Sequence, residues 1–142
     1  MLTDSPPVQG LTADQVAALG RLCARFRVQL GVVFGSRSRG DATAASDLDM
    51  LVLPPAASPF DILGFEAAAQ RIVRRPRVDL TVLHPALTAA LAWEALREAT
   101  VIWEEPPRTY AREMAIWQRR FVDEAPLERM QARQVMQMFQ CR

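Results

Sequence analysis

Asp47 and Asp49 stand two residues apart at the start of an apolar run that continues through Met50, Leu51 and Val52. In an extended strand this spacing projects both carboxylates from one face, while Leu48, Met50 and Val52 project from the other towards a core. Aspartate is a poor strand former, and like charges side by side are unfavourable unless a cation lies between them. Alone, the pair also reads as a polar strand start with solvated carboxylates. Asp79 favours the first reading. In Arg77-Val78-Asp79-Leu80-Thr81-Val82 the same alternation buries Val78, Leu80 and Val82 and leaves Asp79 opposite. If the two strands are neighbours, three carboxylates converge on one sheet surface. Such a set supplies ligands for two Mg²⁺ ions about 3.5–4 Å apart, the arrangement used for in-line attack on phosphorus.

Gly35-Ser36 lies where a strand, expected over 28–34, turns into a short helical segment. Free backbone N–H groups at such a turn favour phosphate, glycine permits close approach, and serine adds a hydroxyl donor. A simple tight turn accounts for the pair as well. Arg37 and Arg39 flank it, as candidates for bidentate pairing with phosphate or as solvated helix residues.

Composition narrows the chemistry further. The 142 residues carry 17 basic side chains, every one of them Arg, and 16 acidic ones, for a formal net charge of +1. The length points to one domain. With one histidine, His84, and two cysteines, Cys23 and Cys141, the chain lacks the ligands of a closed tetrahedral zinc site. Two distant cysteines make no disulfide framework, so a reducing cytoplasm is the expected home. No apolar run approaches the roughly 20 residues of a membrane span, and the N-terminus lacks a signal peptide's basic start and apolar stretch. Near-neutral charge argues against binding nucleic acid mainly by bulk charge. His84 reads as a loop residue, Cys23 as part of a buried helix face, and Cys141 as part of a terminal tail. Trp93 and Trp103 read as core, and Glu104-Glu105 as a solvated strand end.

The elements that must position these groups follow from caps and periodicity. A helix is expected over 13–27, with Thr12 and Gln15 as a capping box, Leu11 stapled on Val16, and Leu19, Leu22, Cys23 and Phe26 on its apolar face. A helical turn over 37–40 should end at Gly40 in the left-handed conformation. Strands are expected over 47–53, 77–83 and 101–104. Between them, one helix starts at Ser58, Pro59 and Asp61 and buries Ile62, Phe65, Ala69, Ile72 and Val73, and another covers 86–99. Beyond Pro106-Pro107 the chain reads as helical to its end with a break near Pro126. Tyr110, Met114, Trp117 and Phe121 form a core-facing stripe. Met130, Val135, Met136, Met138 and Phe139 form an apolar, Met-rich tail suited to the parent domain or to a partner. The expected fold class is α/β (α+β), a mixed β-sheet flanked by helices with a C-terminal helical extension.

Gly35-Ser36, ten intervening residues, Asp47-x-Asp49 and a third aspartate on a later strand resemble the DNA polymerase β-like nucleotidyltransferase superfamily. The fuller form, Gly-Ser-Arg-Ser-Arg-Gly followed by Ser46-Asp-Leu-Asp-Met-Leu-Val52, is similar to its minimal nucleotidyltransferase (MNT) branch, the antitoxins paired with HEPN-domain ribonuclease toxins. The resemblance implies a nucleotidyltransferase fold with a minimal domain over 1–105 and a helical extension over 106–142. It implies that Gly35 and Ser36 hold the β and γ phosphates of a nucleoside triphosphate such as ATP; Arg37, Arg39 and Ser46 are further candidates for nucleotide binding. Asp47 and Asp49 would bind two Mg²⁺ ions, and Asp79 would bind the catalytic one and help deprotonate the acceptor.

The implied reaction moves AMP from ATP to a hydroxyl. Three readings of the acceptor follow: a tyrosine of a HEPN toxin, a small molecule such as an aminoglycoside, or no acceptor at all in a chain that neutralises a toxin by covering it. Relatives acting on antibiotics carry a substantial helical domain around the acceptor. The short segment after Glu104 therefore favours the protein acceptor.

Overall fold

The Thr12 hydroxyl accepts the Gln15 N–H at 3.1 Å while the Gln15 side chain accepts the Thr12 N–H at 2.9 Å. This reciprocal cap starts α1, Ala13–Arg25, as expected, and Leu11 and Val16 both pack against the core beneath it. The computed structural model describes residues 8–140, apart from the side chains of 125–129, 131–132, 135 and 139–140. After α1 come β1 (Leu30–Phe34), α2 (Ser36–Arg39), β2 (Leu48–Leu53), α3 (Ile62–Val73), β3 (Val78–Val82), α4 (Ala89–Arg97), β4 (Thr100–Glu104) and α5 (Thr109–Gln140).

Several expected boundaries move, each for a local reason. Asp61 rather than Ser58 starts α3, because its carboxylate accepts the Gly64 N–H at 2.9 Å, and Ile62 is consequently left 45% exposed. Thr88 caps α4, so that helix begins three residues later than 86. Gly40 closes α2 at φ 87°, as expected. The helix continues through Pro126 without a break. Proline forgoes one bond, to the carbonyl of Val122, and Val122 is exposed, so water can satisfy that carbonyl. No helix among the described residues is long and apolar enough to cross a membrane.

The four strands form one mixed sheet in the order β3-β2-β1-β4. β1 is antiparallel to β2 and β4, and β2 is parallel to β3 across the α3 crossover. Helices cover both faces. Val33, Leu48, Met50, Val52 and Val78 pack with α1 and α3, where Phe65 is fully buried. Leu30, Val32 and Leu51 pack on the other face with α4 and the first turns of α5, against Tyr110, Met114, Trp117 and Phe121.

Phe65 anchors the first core. Its ring meets Phe26 edge-on at 5.3 Å and lies 5.6 Å from Phe60. Replacing Phe65 by Ala should cost about 3–5 kcal/mol, read as a lowered midpoint in equilibrium urea unfolding. A loss below about 1 kcal/mol would contradict this placement of the core.

Candidate active site

β2 carries the central carboxylate. In the observed register Asp49 lies opposite Phe34 on β1 and beside Asp79 on β3. Residues paired in register share a face, so Asp49 and Asp79 project together from neighbouring strands roughly 4.8 Å apart. Asp47 lies just outside the strand, which starts at Leu48, and both Asp47 and Asp79 are exposed. On the same face, Leu51 is fully buried under α4 and α5, so the acids sit at the margin of a core.

The electrostatics show the acids acting on one another. Burial raises the Asp49 carboxyl above its ordinary pKa range, repulsion from Asp79 and then Asp47 adds to the rise, and Arg39 opposes it. Among the described residues, no three acids, cysteines or histidines are drawn close enough to form a metal cage by themselves. An open, all-oxygen carboxylate set is nonetheless the donor chemistry suited to Mg²⁺, which keeps waters and takes substrate phosphates as its remaining ligands.

Gly35 closes the site from β1. Its φ is 75°, in the region glycine favours, and a Cβ there would collide with the Asp49 carboxylate. Any larger residue would displace the acid. The Ser38 and Arg39 N–H groups bond back to the Gly35 carbonyl, so those of Ser36 and Arg37 lie outside the turn's own bonding. The backbone N–H groups of Ser36 and Arg37, directly after Gly35, are therefore the donors this turn offers beside Asp49.

The other expected site residues divide. Arg37 is 5% exposed, and its guanidinium is committed to carbonyls: Ser46 at 2.8 and 3.2 Å, Gln9 at 2.9 Å and Thr43 at 3.4 Å. It is not brought to the acidic face, because these carbonyls need its fork of donors. Ser46 points elsewhere too, its hydroxyl accepting the Thr43 N–H at 2.9 Å. Arg39 is exposed, acts on Asp49 and pairs with Asp41 and Glu98, each at 3.3 Å.

Three groups escaped the sequence reading. The Gln9 side chain donates to the Ala42 carbonyl at 2.8 Å and accepts the Ala42 N–H at 2.9 Å, clamping the loop before Asp47. Glu98 holds Arg39, and the Ser38 hydroxyl bridges the Glu98 carbonyl and Thr100 at 2.7 and 2.8 Å, tying α2 to β4. Contacts across 33 and about 60 residues leave no periodic signal in the chain.

Cys23 is buried and its thiol is pushed up to about 12, mainly by burial, so it is inert. Trp103 packs on the first core and donates to the Val28 carbonyl at 2.9 Å, while Cys141 lies outside the described residues.

No curated protein matches the chain. Among solved structures, a toxin–antitoxin with AMP-PNP contains a chain that superposes with a TM-score of 0.59 at 18% identity, over 82% of this chain and 95% of that one. The toxin–antitoxin MntA-HepT gives a TM-score of 0.54 at 17% identity, over the same shares of the two chains. At such identities the likeness is one of fold, and it bears out the expected mixed sheet flanked by helices. A family model described as polymerase beta nucleotidyltransferase matches residues 20–108, a span that contains Gly35, Asp47, Asp49 and Asp79. The superfamily suggested by those residues is thereby borne out, and the chain belongs to the polymerase beta nucleotidyltransferase family.

Proposed function

We propose that this nucleotidyltransferase moves AMP from ATP to a tyrosine hydroxyl of a HEPN ribonuclease toxin in the cytoplasm, and so acts as the antitoxin. The observation that carries this reading is Asp49 in register with Asp79, with the backbone of Gly35 closed onto the Asp49 carboxylate. The chains of like fold, in a toxin–antitoxin with AMP-PNP and in MntA-HepT, support the adenine nucleotide and the toxin partner.

In this reading the Gly35 and Ser36 backbone holds the β and γ phosphates. Asp47 and Asp49 would hold two Mg²⁺ ions, and Asp79 would hold one of them and draw the proton from the acceptor. When bound, the ions supply charge neutralisation at the α-phosphoryl and leaving oxygens. The acceptor oxygen bonds to the α-phosphorus as the bond to the bridging oxygen breaks, and pyrophosphate leaves. Arg39, exposed beside Asp49, turns from Asp41 and Glu98 to a phosphate. Arg37 and Ser46 serve nucleotide binding indirectly, by holding the loop that carries Asp47. Residues 1–105 form the transferase domain. The segment 106–142 packs on it through Trp117 and offers the exposed Met130, Met136 and Met138 to the partner.

Incubation with the neighbouring gene's product and labelled ATP should label that protein. Asp49→Asn together with Asp79→Asn should lower the rate at least about 1,000-fold with the fold intact by circular dichroism, since several kcal/mol of charge stabilisation go with the ligands. A labelled aminoglycoside instead, or tight binding without label, would overturn the reading.

The raised Asp49 pKa makes a second prediction. The native state binds more protons than the unfolded chain between the ordinary carboxylate value and the raised one, so this group's contribution to stability falls as pH rises through that window. Asp49→Asn should therefore raise Tm at pH 7 relative to the parent, with the gain shrinking as pH falls below the carboxylate range, read by thermal unfolding. Mg²⁺ with ATP should stabilise the parent protein and not the variant.

The two arginines should separate. Arg37→Ala, which strips the carbonyls of Gln9, Thr43 and Ser46 of its four hydrogen bonds, should cost about 2–4 kcal/mol in urea unfolding. Arg39→Ala should leave Tm unchanged and raise KM for ATP.

A further inference from the structure

On the β3 side of the carboxylates, a groove of about 520 Å³ opens between the loop before β2 and the turn joining α3 to β3. The turn lines it with Arg74, Arg75 and Arg77, and the loop with Ala44, Ala45 and Asp47. All three arginines are exposed, and among the described residues none of them forms an ion pair. The turn that gathers them is built rather than loose. Arg75 N–H donates across Arg74 to the Val73 carbonyl at 2.7 Å, and Arg74 itself takes φ 62° and ψ −59°, the rare and strained γ-turn conformation. Gln70 secures it, donating to the Pro76 carbonyl at 3.0 Å and accepting the Val78 N–H at 2.8 Å. Three unpaired cations are thus held together against their mutual repulsion.

Strand order gives the groove its place in the reaction. β1, with Gly35 at its end, lies on one side of β2, and β3 with the groove lies on the other. An in-line displacement sets the leaving group and the incoming oxygen on opposite sides of the phosphorus. With the leaving phosphates at Gly35 and Ser36, as proposed above, an acceptor would approach from the β3 side, where Arg77 of the groove stands two residues before Asp79.

We infer that this groove docks an acidic segment of the acceptor protein, seating its carboxylates on Arg74, Arg75 and Arg77 so that a nearby hydroxyl reaches Asp79. The inference rests on the transferase reading above. Guanidinium forks suit carboxylate and phosphate alike, but the groove favours a peptide. No aromatic side chain lines it to stack a base, Asp47 opposes a continuous run of phosphates, and the chain as a whole is near neutral.

The test uses the full chain and a fluorescein-labelled peptide with one tyrosine among glutamates, beside the same peptide with glutamines. Anisotropy is read without nucleotide or metal. The glutamate peptide should bind at least about ten-fold tighter, and added salt should weaken it. Arg74→Gln, Arg75→Gln and Arg77→Gln together should abolish that preference while the thermal shift with Mg²⁺ and ATP persists. The single Arg75→Gln variant carries the same comparison if the triple variant unfolds. Equal binding of the two peptides, an unchanged triple variant, or displacement by oligoadenylate more readily than by unlabelled peptide would overturn the docking site. Charge-dependent binding of the peptide, together with no label passing from ATP to the neighbouring gene's product, would keep the groove and overturn the transferase reading alone.

Discussion

The register of β2 between β1 and β3 governs the rest of the molecule. With Asp49 beside Asp79, two carboxylates share one face, and a slip of a single residue would send them into the core and bring Leu48 and Met50 to the surface. Two charges about 5 Å apart repel by roughly 3 kcal/mol at an effective dielectric near 20. Burying Leu48, Met50, Val52 and Val78 is favourable by roughly 1.5–3 kcal/mol for each side chain, which outweighs the repulsion. The apolar face thus holds the acidic face in a state the acids alone would avoid. The raised pKa of Asp49 reflects burial first and this repulsion second, and a divalent cation is the natural relief.

A second ring of interactions fixes the acids from outside the sheet. Gly35 leaves the space that the Asp49 carboxylate occupies, and α2 is tied to β4 through Ser38 and Thr100. Arg37 works as a hub, drawing the carbonyls of Gln9, Thr43 and Ser46 around one buried guanidinium. The loop before Asp47 is consequently held at both ends, by Gln9 on Ala42 and by Arg37 on Ser46. Without a side chain that can satisfy several carbonyls at once, a loop rich in small residues would be free to carry Asp47 away from its partners.

Much of this was legible along the chain, and the parts that were not share a cause. The capping box at Thr12, the left-handed Gly40 and the alternation around Asp49 and Asp79 are local patterns, set by a few neighbouring residues. Gly35-Ser36 and Asp47-x-Asp49 carried the family as well. The reading went astray where a short-range signal met a stronger competitor. Ser58 had the residue types of a helix start, yet Asp61 satisfies the Gly64 N–H. Pro126 had the type of a break, yet the carbonyl it leaves unpaired belongs to an exposed residue and costs little.

The sequence by itself determined the fold class, the shared face of Asp49 and Asp79 and the glycine turn, because alternation, caps and spacing act within a few residues and survive in one dimension. Only the tertiary structure decided which arginine serves which purpose. Arg37 and Arg39 are two residues apart and chemically identical, but one is buried among carbonyls and the other lies exposed between Asp41 and Glu98. It also decided that Arg74, Arg75 and Arg77 share a groove with Asp47. Those assignments depend on which distant segments meet, and burial, not residue type, sets the partners a guanidinium finds.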